Sequence, residues 1–214
     1  MPYSIAIDLS LVNRYNQVMK TKNEAVRLQI IEAATELIIE VGIAGTSTTK
    51  VAQRMGGAQS NIYSYFKSKE ALILGVFAYH QKRLTNVLLP VLNLDLAPRQ
   101  QLRAMIKAVL LFADDQPTSL QIIAAFRAQP NLRHSLPSIA ESAVFTRLFK
   151  LFAQYQTAGI LKVIPAEFLA EAAFSLIVDY GTAKLSGEAY LDQLDENAIV
   201  TLVEALVLAP DQLA

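Results

Sequence analysis

Residues 46–72 read TSTTKVAQRMGGAQSNIYSYFKSKEAL. Two stretches, 48–54 and 59–65, flank Gly56-Gly57, where the lack of a Cβ permits a turn tight enough to set one helix steeply across the next. Ser47 or Thr48 supplies the first N-cap. Val51 and Ala52 on the first helix, with Ile62 and Phe66 at i and i+4 on the second, form the apolar seam that holds the two together. The pattern is a helix-turn-helix.

With the seam turned inward, Gln59, Ser60, Tyr63 and Ser64 point away from the second helix, with Asn61 at its edge. Gln and Asn match base edges in a major groove, Ser contacts bases or phosphates, and tyrosine hydroxyls donate to phosphate. Lys67 and Lys69 flank the start of the following helix, where backbone N–H groups and the helix dipole already favour an anion, so the two lysines read as a phosphate clamp. Tyr63 and Tyr65 admit a second reading, as packing residues with wet hydroxyls.

On these residues the chain resembles the TetR-type (TetR/AcrR) bacterial transcriptional regulators. The resemblance covers residues 27–83: an opening amphipathic helix ending in Glu40-Val41-Gly42, the Thr46-Ser47-Thr48-Thr49 start, Val51-Ala52, and above all Ile62-Tyr63-Ser64-Tyr65-Phe66-Lys67-Ser68-Lys69-Glu70-Ala71-Leu72. It implies that Thr48, Thr49, Gln59, Ser60, Asn61 and Ser64 approach bases or sugars of double-stranded operator DNA, while Tyr63, Tyr65 and Lys69 hold phosphates. Two departures stand out. Gly57 occupies the place of the usual apolar residue after the turn glycine, and Ala58-Gln59-Ser60 replaces the frequent Ser-Lys-Gly. One phosphate contact goes with the lysine, and Gln59 becomes a neutral base reader, so the operator sequence does not transfer from relatives.

Outward from this motif, apolar residues recur at three and four, as in Ile30, Ala33, Ala34, Leu37, Ile38 and Val41, the stripe of an amphipathic helix. The fold class is all-α. Helices are predicted at 24–41, 48–54, 59–65, 69–89, 98–114, 118–128, 138–158, 166–186 and 195–208, with Ser68 and Pro165 marking two further starts. The expected organisation is an N-terminal arm or extra helix over 1–23, a three-helix helix-turn-helix DNA-binding domain over 24–68, and a helical ligand-binding and dimerisation domain over 69–214.

The 214 residues are 53% apolar and 18% charged, with 19 Lys+Arg against 19 Asp+Glu. That composition excludes a disordered chain, a collagen and a polycationic coat protein. The mean hydropathy of +0.31 is high for a soluble protein, so part of the apolar surface is expected to face a partner subunit or line a cavity. Charge is uneven along the chain: residues 1–83 carry 10 Lys/Arg and 6 Asp/Glu, net +4, and residues 84–214 carry 9 and 13, net −4. A mildly basic part beside an acidic one fits a DNA-reading domain attached to one that does not read DNA, or a chance asymmetry of solvated faces. Arg14, Lys20 and Lys22, opposed by Asp8, lean the arm toward DNA. The longest stretch without a charge, Met55 to Phe66, is too short and too polar to span a bilayer. Asp8 interrupts the apolar start, and no basic segment precedes it, so no signal peptide is expected. With no cysteine there is no disulfide or thiolate metal site, which fits a reducing cytoplasm.

In the C-terminal two thirds, Phe145, Leu148, Phe149, Phe152 and Tyr155 form an aromatic stripe at helical spacing. With Phe112, Phe126 and Phe174 it reads either as the lining of an apolar pocket for a small-molecule effector or as ordinary core. Phe168, Leu176, Tyr180 and Ala183, followed by Leu202 and Leu206, mark two helices with stripes broad enough to be covered twice. Gly181 and Ala183 would admit a close helix, and the family resemblance implies a homodimer interface here. Two recognition helices entering adjacent major grooves, roughly 34–36 Å apart, also require a dimer. His134 reads as a ligand or pH reporter or, more simply, a loop residue. His80 continues the polar face of the fourth helix.

An enzyme reading finds no support. Di-iron bundles need Glu-x-x-His pairs, but Phe77 and Asn131 precede His80 and His134 at that spacing. Glu32, Glu36 and Glu40 share a helix face and read as a solvated acidic ridge. No nucleophile elbow or phosphate-cradling glycine pattern is present. No cofactor or metal is expected. The reading is a transcriptional repressor released from its operator by a small apolar or amphipathic ligand. The alternative is a helical interaction protein that keeps the helix-turn-helix as scaffold.

Overall fold

The computed structural model describes residues 9–133 and 142–213, with side chains from Asn23 to Leu132 and from Ser142 onward. Among the described residues every regular element is helical; an isolated antiparallel bridge pairs Leu161 with Leu208. The chain divides into two compact units, Met1–Val76 and Phe77–Ala214, with the division inside one helix, α4 (Lys69–Leu92).

The first unit holds α1 (Leu9–Gly45), α2 (Thr48–Arg54), α3 (Gln59–Tyr65) and the start of α4. The opening helix begins well before the expected residue 24. Its regular course stops where expected, because Gly42 adopts φ 73°, ψ 170° inside it, a conformation that glycine alone enters without cost. Thr46 then donates to the Gly42 carbonyl at 2.9 Å and closes the turn into α2. Ile30, Ala33, Ala34, Leu37 and Ile38 are buried as the stripe predicts, but Val41, at the kink, is 47% exposed. The side chains of Arg14, Lys20 and Lys22 and residue His134 lie outside the described residues.

Val51, Ala52, Ile62 and Phe66 are all buried and form the expected seam. Gly75, which interrupts α4, has a direct packing reason: a Cβ there would lie 2.5 Å from Cε1 of Phe66. Arg27 covers the same Phe66 ring at 5.1 Å.

The second unit contains the rest of α4, α5 (Pro98–Asp115), α6 (Pro117–Arg127), α7 (Pro130–Arg133), α8 (Ala143–Thr157), α9 (Ala166–Ser186) and α10 (Glu196–Val207). Proline at the first position starts both α5 and α6, where the missing N–H has no helical partner to lose. α9 packs against α5, α6 and α10. The small residues of α9 serve this packing: a Cβ on Gly181 would meet Leu120 at 2.9 Å, and Ala183 is 6% exposed. Ala183, expected on a dimer surface, is thus largely covered by its own chain.

One buried charge organises α5 against α10. Glu204 is buried, accepts from Arg103 Nη2 at 2.8 Å and Nε at 3.1 Å, and has Arg99 3.9 Å away. Lys162 closes the end of α10 by donating from Nζ to the Ala205 and Leu206 carbonyls at 2.7 and 2.8 Å.

Candidate functional site

The turn between α2 and α3 is built by three backbone facts. Met55 ends α2, Gly56 follows in the left-handed region at φ 65°, and Gly57 N–H reaches back to the Ala52 carbonyl at 2.9 Å while Gly56 N–H reaches Gln53 at 3.0 Å. This pair of bonds is the Schellman closure of a helix end. Only Gly56 needs the glycine conformation; a Cβ on Gly57 would meet nothing nearer than Asn61 Nδ2 at 3.6 Å.

α3 then presents Gln59, Ser60, Asn61, Tyr63 and Ser64 to solvent, with Ile62 buried behind them and Tyr65 half-buried. Thr49 is exposed beside them on α2. Thr48 is not: it is 5% exposed, and its hydroxyl lies inside a chain of hydrogen bonds. Gln59 Nε2 donates to Thr48 Oγ1 at 2.9 Å, and Thr48 Oγ1 in turn lies 3.4 Å from the Tyr63 hydroxyl. Thr48, expected to approach bases or sugars, is placed by these bonds between α2 and α3. A β-hydroxyl at the first position of α2 faces α3, which the linear pattern did not reveal.

Around this face the charges are placed by local bonds. Arg54 at the end of α2 pairs with Glu40 at 2.5 Å and Glu36 at 3.3 Å, so two members of the apparent acidic ridge brace α2 against α1. The hydrogen bond to Arg54 holds the Glu40 carboxyl below the usual carboxylate range. Lys69 Nζ donates to the Ala44 carbonyl at the end of α1 at 3.0 Å, and Lys67 Nζ to the Tyr63 carbonyl of α3 at 3.5 Å. Ser68 caps α4 by accepting from Ala71 N–H at 3.1 Å.

In the second unit a cavity of about 90 Å³ opens between α4, α5, α8, α9 and α10. Phe145, Phe149, Phe152 and Phe174 line it, with Leu88, Met105 and Ile177 among the aliphatic walls. Phe112 and Phe126, expected with them, are 1% and 0% exposed and do not line it. Phe126 packs instead against Phe77 with the rings tilted by 34° and centroids 5.4 Å apart, as part of the core. Arg127, Glu167 and Glu171 are the charged residues of its wall; Arg127 pairs with Glu171 at 2.8 Å, with the guanidinium 5.3 Å from the Phe174 ring centroid. Aromatic spacing located four lining residues but carried no sign of this pair.

His80 is 4% exposed, so its placement on a polar helix face is corrected. Its Nδ1 lies 2.9 Å from the buried Ser119 hydroxyl, and burial, aided by the nearby Arg83 charge, pulls the imidazole down to about 4. Of the expected dimer residues, Leu202 is 49% exposed, Leu176, Tyr180 and Leu206 are half-buried, and Tyr180 carries Lys184 Nζ 5.5 Å from its ring.

These features define a class, a helix-turn-helix unit followed in the same chain by an all-helical unit with an apolar cavity. Residues 30–76 match the family model for bacterial regulatory proteins of the tetR family. Over those residues the chain is similar to that family in sequence. The fatty acid metabolism regulator protein of Bacillus subtilis (strain 168) is 42% identical over 50 residues, 23% of this chain and 26% of that protein. Tetracycline repressor protein class D of Escherichia coli is 45% identical over 47 residues, 22% of each chain. The chain thus spans 26% and 22% of the length of these curated relatives. The crystal structure of a TetR family transcription regulator from Marinobacter aquaeolei VT8 shares the fold, with a TM-score of 0.73, 18% identity, and coverage of 89% of this chain and 99% of that one.

Proposed function

We propose that the protein is a sequence-specific DNA-binding transcriptional regulator, a cytoplasmic homodimer that represses from its operator and is released by a small apolar or amphipathic effector. The observation that carries the DNA reading is the solvent-facing row Gln59, Ser60, Asn61, Tyr63 and Ser64 on a seven-residue helix locked by a buried seam. Amide and hydroxyl side chains in such a row suit base edges and phosphates in a major groove. The apolar cavity, walled by four phenylalanines, supports the effector reading. Repression is further supported by the similarity, over 47 residues, to a tetracycline repressor protein. In this mechanism the effector shifts a pre-existing equilibrium toward a dimer that no longer fits its operator, by as much as its affinities for the two states differ.

The test is fluorescence anisotropy of the purified protein on the duplex immediately upstream of its own gene and on a random duplex, across a salt series. Tighter binding to the first, with a salt slope reflecting several phosphate contacts, supports regulation. Equal weak binding to both, with no fragment enriched in a genome-wide selection of bound DNA, sinks it.

A further inference from the structure

We infer that Thr48 is a positioning residue for base recognition: it orients the Gln59 amide so that Gln59 reads an adenine, and it couples that orientation to the phosphate contact of Tyr63. The inference rests on the DNA-binding reading above. Thr48 is 5% exposed, and its hydroxyl is engaged by side chains of its own chain. Gln59 Nε2 donates to Thr48 Oγ1 at 2.9 Å, and Thr48 Oγ1 is 3.4 Å from Tyr63 Oη.

A hydroxyl has one hydrogen, which decides the direction of the chain. If Tyr63 donates outward to a phosphate, its oxygen is left to accept from Thr48. Thr48 has then spent its hydrogen and only accepts, so it takes a hydrogen from the Gln59 NH2 and excludes the flipped amide, whose carbonyl would face it. One Gln59 amide hydrogen and the carbonyl remain for the groove. That donor and acceptor match adenine N7 and N6, the bidentate pairing that glutamine makes in a major groove. Without DNA the chain of hydrogens can run the other way, with Tyr63 donating to Thr48 and Thr48 to a flipped Gln59. Phosphate binding thus selects the adenine-reading orientation.

The test is selection from a randomised duplex pool by wild type, Thr48→Val, Thr48→Ser, Tyr63→Phe and Gln59→Ala, with affinity for a fixed random duplex measured beside it. Thr48→Val preserves shape and burial but neither donates nor accepts. It is expected to keep random-duplex affinity within about twofold while an adenine preference of roughly tenfold at one position falls to threefold or less. Thr48→Ser should retain the preference, and Gln59→Ala should abolish it at that same position. Tyr63→Phe should weaken random-duplex binding and also flatten the adenine position, although tyrosine touches only phosphate. A Thr48→Val profile identical to wild type, or a Gln59 position that does not select adenine, overturns the inference. If Thr48→Val fails to fold by circular dichroism, Thr48→Ser and Tyr63→Phe decide on the same readout: loss of the adenine preference in Thr48→Ser, or its retention in Tyr63→Phe, overturns it. A wild-type protein that selects no sequence overturns the DNA reading itself.

Discussion

His80 is a residue whose surroundings settle its protonation. Sealed beneath Tyr79 and against Ser119, with Arg83 near, it is held neutral, its folded value of about 4 lying below the ordinary 6.5. The unfolded chain therefore binds the proton first. The contribution of neutral His80 to stability is full above pH 6.5 and is lost as pH falls from there to about 4, where the folded imidazole also protonates. The loss is expected to be on the order of 2 kcal/mol, and His80→Gln should remove that part of the pH dependence. Thermal melts of both proteins between pH 7 and pH 4 check this; parallel curves would count against it. Nothing in the local sequence distinguished this buried histidine from one on a polar face, because burial depends on α6 supplying Ser119, 39 positions away.

At the scale of elements, the two glycines between α2 and α3 are unequal. Gly56→Ala should destabilise the protein by about 1–2 kcal/mol, since a Cβ is strained in the left-handed region. Gly57→Ala should be nearly neutral, because its Cβ enters open space beside Asn61. Denaturant midpoints of the two variants decide it, and equal midpoints would refute the assignment of the turn to Gly56. The pairing of α5 with α10 makes a second prediction. Removing Arg103 leaves the buried Glu204 carboxylate with only the longer Arg99 pair at 3.9 Å for compensation, so Arg103→Met should cost about 2–3 kcal/mol. Glu204→Gln, which keeps hydrogen bonding and removes the charge, should cost less; the reverse order in urea unfolding would contradict it. Arg54 illustrates the same kind of link, since Glu36 and Glu40 looked solvated along α1 and are braces once α2 lies beside them.

For the whole molecule, the half-exposed Leu202 on α10 is the most available of the residues proposed for the homodimer. Leu202→Glu is expected to shift sedimentation equilibrium toward monomer and, by losing the second half-site, to lower operator affinity at least ~100-fold. A dimer that survives the substitution would move the interface elsewhere. The helical class, the helix-turn-helix, its inward seam and its outward row were all legible in the sequence, because each depends on spacing within a few turns of one element. The tertiary structure alone decided which of these residues remain free. Thr48, the expected base contact, is turned into a bond between helices, and Ala183, the expected interface residue, is covered by its own chain. Phe112 and Phe126 enter the core while four other phenylalanines meet a cavity, and Glu204 is buried against an arginine 101 positions away. Periodicity says which face of a helix is apolar, but not what covers it; burial and polar pairing are set by elements distant in sequence, and that information exists only after the chain has packed.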